Sequence, residues 1–385
     1  MKKIKIITIF GTRPEAIKMA PLVKKLEECE YIDSKVCVTA QHREMLDQVL
    51  NLFSIKPEYD LDIMKERQSL TGVTSRVLKG LEEVFIEEKP DMILIHGDTT
   101  TTFAGALAAF YQKIKVGHVE AGLRTFDKYF PYPEEMNRKL TGSIADIHFA
   151  PTNQSKQNLL KEGIDEKLIY VTGNTVIDAM NTTVEKDYRF KTEELNNIDY
   201  KNKKVIMVTA HRRENWGEGI ENICKSLKCI VQNNKNVEIV YLVHLNPVVK
   251  DVVEKHLKGI ERVHLLPPQD TKETHNLMNK CYMVMTDSGG IQEEAPHLGK
   301  PILVLRDVTE RPEAVKMGAV KLVGTNFNSI VDSAEVLINN AEVYKKMSEA
   351  VNPYGDGKAS DRIVQAILCY FNLNNIDKLE EFLLS

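Results

Sequence analysis

The sequence lacks any apolar run long enough to span a bilayer, and it lacks an excess of basic charge. Its 51 Lys and Arg stand against 55 Asp and Glu, for a net charge of −4. Nucleic-acid binders present a basic face, so a polyanion partner is not expected. Cysteine is sparse and scattered, at positions 29, 37, 224, 229, 281 and 369, with no Cys-x-x-Cys. That excludes a disulfide scaffold and reads as free thiols, mostly buried, in a reducing cytoplasm. No His/Cys cluster has zinc spacing, so no metal is expected. The dinucleotide fingerprint Gly-x-Gly-x-x-Gly is missing after the first strand, Gly-x-x-x-x-Gly-Lys-Ser/Thr is absent, and so is the nucleophile elbow Gly-x-Ser-x-Gly. A nicotinamide enzyme, a P-loop NTPase and a serine hydrolase of that type are therefore disfavoured. No repeat of solenoid length is present.

What the chain has is strict alternation. Eleven apolar, β-branched runs, from Lys3–Phe10 and Asp91–His96 through Tyr282–Met285 to Pro301–Leu305, are separated by segments of helical spacing such as Val73–Phe85. Met1–Phe10 reads as the first strand rather than a leader, because Gly11-Thr-Arg-Pro-Glu15 breaks it without a cleavage site. Alternating β and α predicts parallel sheets covered on both faces. At 385 residues, with the polar stretch Glu185–Lys203 interrupting the series, the expectation is two doubly wound domains. The first runs over 1–172 and the second over 173–365. The last residues, Ala359–Leu384, read as helical, and a helix over 366–385 is expected to pack back on the first domain.

Ligands of open parallel sheets bind outside the carboxyl ends of the strands. Polar clusters fall there repeatedly: Gly11-Thr-Arg13, Gln41-His-Arg43, Gly97-Asp98, Glu120-Ala-Gly122, Ala210-His211-Arg-Arg213, His244-Leu-Asn246 and Asp287-Ser-Gly-Gly290. Two facing sheets would gather them in one interdomain cleft. The most informative stretch is Thr286-Asp-Ser-Gly-Gly-Ile-Gln-Glu-Glu-Ala295. Ser288, Gly289 and Gly290 lie where a strand turns into a helix, a phosphate-friendly place, and Glu294 lies about one turn further on, suited to ribose hydroxyls. An ordinary Gly-rich turn with a solvated Glu pair is the competing reading.

Arg13, Lys18, His211 and Arg311 are cations fit to neutralise a diphosphate. Asp98, Glu120 and Glu134 are acids at or after strand ends, and paired carboxylates can have their proton affinities pushed apart for acid–base work. Glu120, after an apolar strand and before Ala-Gly, stands apart; Asp98, Glu134 and His211 each have a plain alternative. Asp98 suits the cap of a helix starting at Thr99. Glu134 with Glu135 suits a solvated pair, and His211 a structural histidine.

These motifs resemble those of the non-hydrolysing UDP-N-acetylglucosamine 2-epimerases of bacterial type. The matches are Gly11–Pro21, Thr39–Arg43, His96–Thr101, Gly117–Thr125, Pro133–Glu135, Ala210–Asn215, His244–Pro247, Asp287–Ala295, Thr309–Pro312 and Asn352–Gly357, in order over nearly the whole chain. The resemblance implies an α/β, GT-B-like fold of two Rossmann-like domains around a cleft, a homodimer, and interconversion of UDP-GlcNAc and UDP-ManNAc for cell-surface polysaccharide. It implies no metal, no nicotinamide, no nucleic acid and no membrane. By resemblance, Asp98, Glu120 and Glu134 transfer protons. Arg13, Lys18 and His211 serve phosphate binding and catalysis. Ser288, Gly289 and Gly290 hold the diphosphate, Glu294 the ribose, and Arg311 lies in the same nucleotide site. Gln41, Arg67 and His244 match positions tied to a second, activating UDP-GlcNAc, although Glu44 stands where activated members carry Gln. A hydrolysing epimerase and a GT-B glycosyltransferase are the alternatives.

Overall fold

The computed structural model describes residues 3–40, 43–65, 68–373, 381 and 382. The chain divides into two compact units. Unit 1 comprises Met1–Ala179 and Tyr354–Ser385, and unit 2 comprises Met180–Pro353.

Unit 1 is built on seven strands: β1 (Ile4–Phe10), β2 (Ile32–Val38), β3 (Tyr59–Asp60), β4 (Met92–His96), β5 (Lys115–Val119), β6 (Ile147–Ala150) and β7 (Ile169–Val171). All pairs are parallel, in the order β3-β2-β1-β4-β5-β6-β7. Unit 2 repeats the plan with six: β8 (Lys204–Thr209), β9 (Val237–Leu242), β10 (Val263–Leu266), β11 (Met283–Thr286), β12 (Ile302–Val304) and β13 (Val320–Leu322), in the order β10-β9-β8-β11-β12-β13. The expectation of two doubly wound parallel sheets holds. Eleven strands were legible as apolar runs, and β3 and β13 were not. Each is two or three residues at a sheet edge, with exposed Asp60 or Lys321 in place of a buried run.

Every residue of β4 is buried, as a strand covered on both faces requires. One face of the unit 1 sheet carries Val73, Val77, Leu81, Val84 and Phe85 from the helix Leu70–Glu88, which Ser69 caps by accepting a hydrogen bond from Gly72 N at 3.1 Å. The other face carries Met19, Leu22, Val23 and Leu26 from the helix Arg13–Glu28, together with Ile363, Ala366 and Ile367. The latter three belong to the helix Ala359–Tyr370, whose first N–H groups are taken up by Asp178 (Ser360 N at 2.7 Å, Ala359 N at 3.1 Å). The predicted helix over Ala359–Leu384 is thus shorter than read. It stops at Tyr370, where Phe371 and Asn372 turn, with Asn372 at φ 55°, and residues 374–380 lie outside the described residues. Among the described residues, no helix is long and apolar enough to cross a membrane.

In each sheet the strand order reverses once, between β1 and β4 and between β8 and β11. The loops after those strands diverge to opposite faces, which opens a crevice at the carboxyl edge.

Two histidines are sealed beneath the unit 1 edge. His118 on β5 and His148 on β6 meet edge to face at 6.5 Å, and His118 Nε2 is 2.7 Å from the Gly97 carbonyl. Neither Nδ1 has a hydrogen-bond partner among the described residues. Burial above all pushes His118 down to about 3 and His148 to about 4, from an ordinary 6.5. Below 6.5 the unfolded chain therefore binds protons that the folded chain refuses, so stability falls as pH falls through this window and is fully retained above it. Each histidine contributes a slope of about 1.4 kcal/mol per pH unit. His118→Gln should flatten the stability curve of urea denaturation by about that amount between about pH 6 and 4. Parallel curves for the two proteins would show that His118 titrates in the folded state at its ordinary value.

Candidate active site

The unit 1 crevice is set by glycine and one buried carboxylate. Gly11 ends β1 so close to β2 that a Cβ there would lie 2.0 Å from Thr39 Oγ1. The next turn is locked by Glu15. Its Oε2 accepts from Gly11 N (3.1 Å), Thr12 N (2.8 Å) and Thr12 Oγ1 (2.8 Å). Its Oε1 accepts from Thr99 Oγ1 (2.7 Å) and Thr102 Oγ1 (3.2 Å). Glu15 therefore ties the loop after β1 to the loop after β4. Burial raises its pKa in spite of these donors. Sequence reasoning treated Glu15 as part of a turn and missed the clamp.

Arg13 is the first residue of its helix and is half-buried, and its side chain has no partner among the described residues. One turn on, Lys18 Nζ donates to Glu120 Oε2. The same oxygen accepts from Asn174 Nδ2 at 2.8 Å and lies 3.6 Å from His96 Nε2. Glu120 itself is in the left-handed region, φ 60°, just past β5. Burial holds His96 neutral, its pKa pushed down to about 4. The Glu120 carboxylate thus rises from a sparsely populated backbone conformation, with a lysine, an amide and a neutral imidazole around it. Asn174 and His96 were missed as site residues, although both satisfy the strand-end rule.

Asp98 follows β4, but it does not cap the next helix. Thr99 does, its Oγ1 accepting from Thr102 N at 3.1 Å. That alternative reading of Asp98 is corrected: its carboxylate instead takes Arg138 Nη2 (2.5 Å) and Nε (2.8 Å) on one oxygen. Arg138 also reaches Glu135 at 3.3 Å, and buried Glu135 accepts from Thr125 N and Phe126 N, each at 3.0 Å. Of the adjacent acids, Glu135 thus orders the preceding loop. Glu134 is half-buried, and its carboxylate has no partner among the described residues. Unit 1 brings Lys18 and Glu120 into contact and sets Asp98 at the neighbouring strand end, with Glu134 one turn before Arg138.

Unit 2 uses the same device at its own crevice. Asp287 is fully buried, and its Oδ2 accepts from His211 N (2.8 Å), Arg212 N (2.8 Å) and Asn215 Nδ2 (3.0 Å). Its Oδ1 is 3.3 Å from His211 Nδ1, and the His211 ring stacks on that of His244 at 5.2 Å. Burial, against the pull of Asp287, lowers the His211 pKa. Ser288 is the residue before the helix Gly289–Glu294 and makes no side-chain cap, so the first N–H groups of that helix are not taken up by it. Arg311 crosses over this end. Its Nη1 would be 2.5 Å from a Cβ on Gly289, and it is held by Glu293 (2.6 Å) and Glu310 (2.8 Å). A side chain at Gly289 would have to displace that guanidinium. Glu310 also takes Arg306 at 2.7 Å and Arg212 at 3.2 Å. Burial would raise its pKa, but the arginines outweigh that and hold it at about 2. Glu294 Oε1 faces Gly290, 3.4 Å from where a side chain there would begin. Of the three residues assigned to a second nucleotide, His244 is exposed beside His211, while Gln41 and Arg67 lie outside the described residues.

Unit 1 thus holds Asp98, Glu120 and Glu134 at or after its strand ends, and unit 2 holds a glycine-rich helix end beside clustered guanidinium groups. A family model described as UDP-N-acetylglucosamine 2-epimerase matches residues 24–368. A protein of Clostridium acetobutylicum is 71% identical over 382 residues, 99% of each chain. The UDP-N-acetylglucosamine 2-epimerase of Bacillus subtilis is 57% identical over 96% of this chain and 97% of its own. The crystal structure of the Neisseria meningitidis UDP-GlcNAc 2-epimerase bound to UDP-GlcNAc superposes with a TM-score of 0.86 at 52% identity, covering 95% of this chain and all of that one. The chain belongs to the UDP-N-acetylglucosamine 2-epimerase family.

Proposed function

We propose that this enzyme interconverts UDP-GlcNAc and UDP-ManNAc without releasing the sugar, by expelling UDP and adding it back. Carbon 2 of the sugar carries an acetamido group and no adjacent carbonyl, so its proton is too weakly acidic for direct removal. In the forward half-reaction the carbon 2 proton passes to an enzyme carboxylate. The C–H electrons form the C1–C2 double bond, and the C1–O bond breaks with its electron pair leaving on UDP. The held products are 2-acetamidoglucal and UDP. In the return, a proton arrives at the opposite face of carbon 2 while the diphosphate oxygen re-forms the bond to carbon 1.

The observation that carries this reading is Glu120, held in a left-handed backbone conformation with Lys18 and Asn174 on one oxygen. Two faces of carbon 2 need two sets of acid–base groups, and Asp98 and Glu134 are the further candidates. Lys18, Arg13 and His211, with the N–H groups beyond Ser288, would stabilise the charge that gathers on the departing diphosphate. Glu294 would accept from the ribose hydroxyls. Arg311 is assigned to setting that helix end, in keeping with its bonds to Glu293 and Glu310. The motif resemblance supports action as a homodimer and a product destined for cell-surface polysaccharide.

Proton NMR of the enzyme with UDP-GlcNAc in D₂O should give UDP-ManNAc carrying deuterium at carbon 2. Free ManNAc with UDP would mean a hydrolysing enzyme, and an unchanged substrate would turn the assignment towards a glycosyltransferase. Asp98→Asn, Glu120→Gln and Glu134→Gln should each lower turnover about a hundredfold or more while UDP still binds. Near-normal turnover in one variant removes that residue from the proton-transfer set. His211→Ala should lower both rate and UDP affinity in calorimetry, and unchanged affinity would contradict a phosphate contact.

A further inference from the structure

Glu294 is the last residue of the helix Gly289–Glu294, where the chain passes into a short 3-10 helix, Ala295–Leu298. A second element holds it. His275, on the helix Thr271–Lys280, is buried at 2% exposure, and its Nε2 lies 3.5 Å from Glu294 Oε2. On the other side of the ring, Nδ1 is 2.6 Å from the hydroxyl of fully buried Thr183. Thr183 is fixed in turn by Asn276, whose Nδ2 donates to the Thr183 carbonyl at 2.8 Å and whose Oδ1 accepts from Glu185 N at 2.9 Å. The ring's two contacts favour one tautomer. If Nδ1 carried the only proton, Nε2 would turn a lone pair towards a carboxylate, which is repulsive. With the Thr183 hydroxyl donating to Nδ1, the ring proton is carried on Nε2, the nitrogen 3.5 Å from Glu294 Oε2. The second carboxylate oxygen, Oε1, is then the one turned to Gly290. The adjacent acid, Glu293, is occupied by Arg311 and cannot substitute.

We propose that His275, oriented by Thr183, is a positioning residue that fixes the Glu294 carboxylate so that its outer oxygen reads the two ribose hydroxyls of the nucleotide. This rests on Glu294 as the ribose contact. It adds that discrimination between ribo- and deoxyribonucleotides depends on a histidine that does not touch the ligand.

Calorimetric affinities for UDP and its 2′-deoxy and 3′-deoxy analogues test it. The unaltered enzyme should prefer UDP over at least one deoxy analogue by about tenfold or more, the worth of a hydrogen bond to a charged group. In His275→Phe that preference should fall most of the way to unity while affinity for the deoxy analogue changes little. His275→Gln, whose amide can place an N–H near the ring Nε2, should restore it, and Thr183→Val should lower it in part. Equal weakening of all three nucleotides in His275→Phe would assign the histidine to packing and overturn the proposal. If His275→Phe fails to fold, an unchanged preference in Thr183→Val would overturn it instead. Glu294→Ala separates the two layers. A preference that survives Glu294→Ala removes the ribose contact itself, whereas one lost in Glu294→Ala but intact in His275→Phe removes only the positioning role.

Discussion

Buried carboxylates that accept backbone N–H groups hold both crevices open in a defined shape. Glu15 does this where β1 and β4 part, and Asp287 does it where β8 and β11 part. A parallel sheet that reverses its strand order leaves two loops diverging from neighbouring strands, with unpaired N–H groups near the gap. Without an acceptor those groups would need water, and the loops would have no common anchor. One carboxylate on each crevice supplies the acceptor and joins the loops. The cost of burying its charge is offset by three to five hydrogen bonds. Four of the candidate groups lie beside these anchors: Arg13 and Lys18 beside the first, His211 and Ser288 beside the second.

That arrangement also separates holding groups from those left for a ligand. Glu135, Arg138 and Glu310 spend their hydrogen-bonding capacity on neighbours, and Arg311 has two carboxylates. Arg13 and Glu134 have no such commitment among the described residues. A division of this kind is characteristic of sites in which a rigid shell aims a few exposed groups.

Much of the fold was legible because its strands are buried on both faces and so read as apolar runs bounded by polar turns. The strand-end rule then located nearly every candidate side chain. What escaped were features set by partners distant in sequence. Residue type does not distinguish Glu134 from Glu135; the backbone N–H groups of Thr125 and Phe126, together with Arg138, hold the second in its buried place. Asp98 looked like a helix cap because Asp favours that position, but Thr99 has the right register and Arg138, forty residues on, claims the carboxylate. Short edge strands escaped for a different reason. With one neighbour each, β3 and β13 need little apolar character to pair.

The composition of unit 1 from two chain segments bears on the order in which the protein is made. Its second segment contributes Ile363, Ala366 and Ile367 to the core against Met19 and Leu22, and Asp178 waits to cap that helix. All six strands of unit 2 leave the ribosome before this helix does. Unit 2 is thus the part able to complete itself first during synthesis, while unit 1 keeps the apolar side of Arg13–Glu28 uncovered until Ala359–Tyr370 has been made. The unit whose first segment is synthesised earliest is therefore the unit whose core closes last.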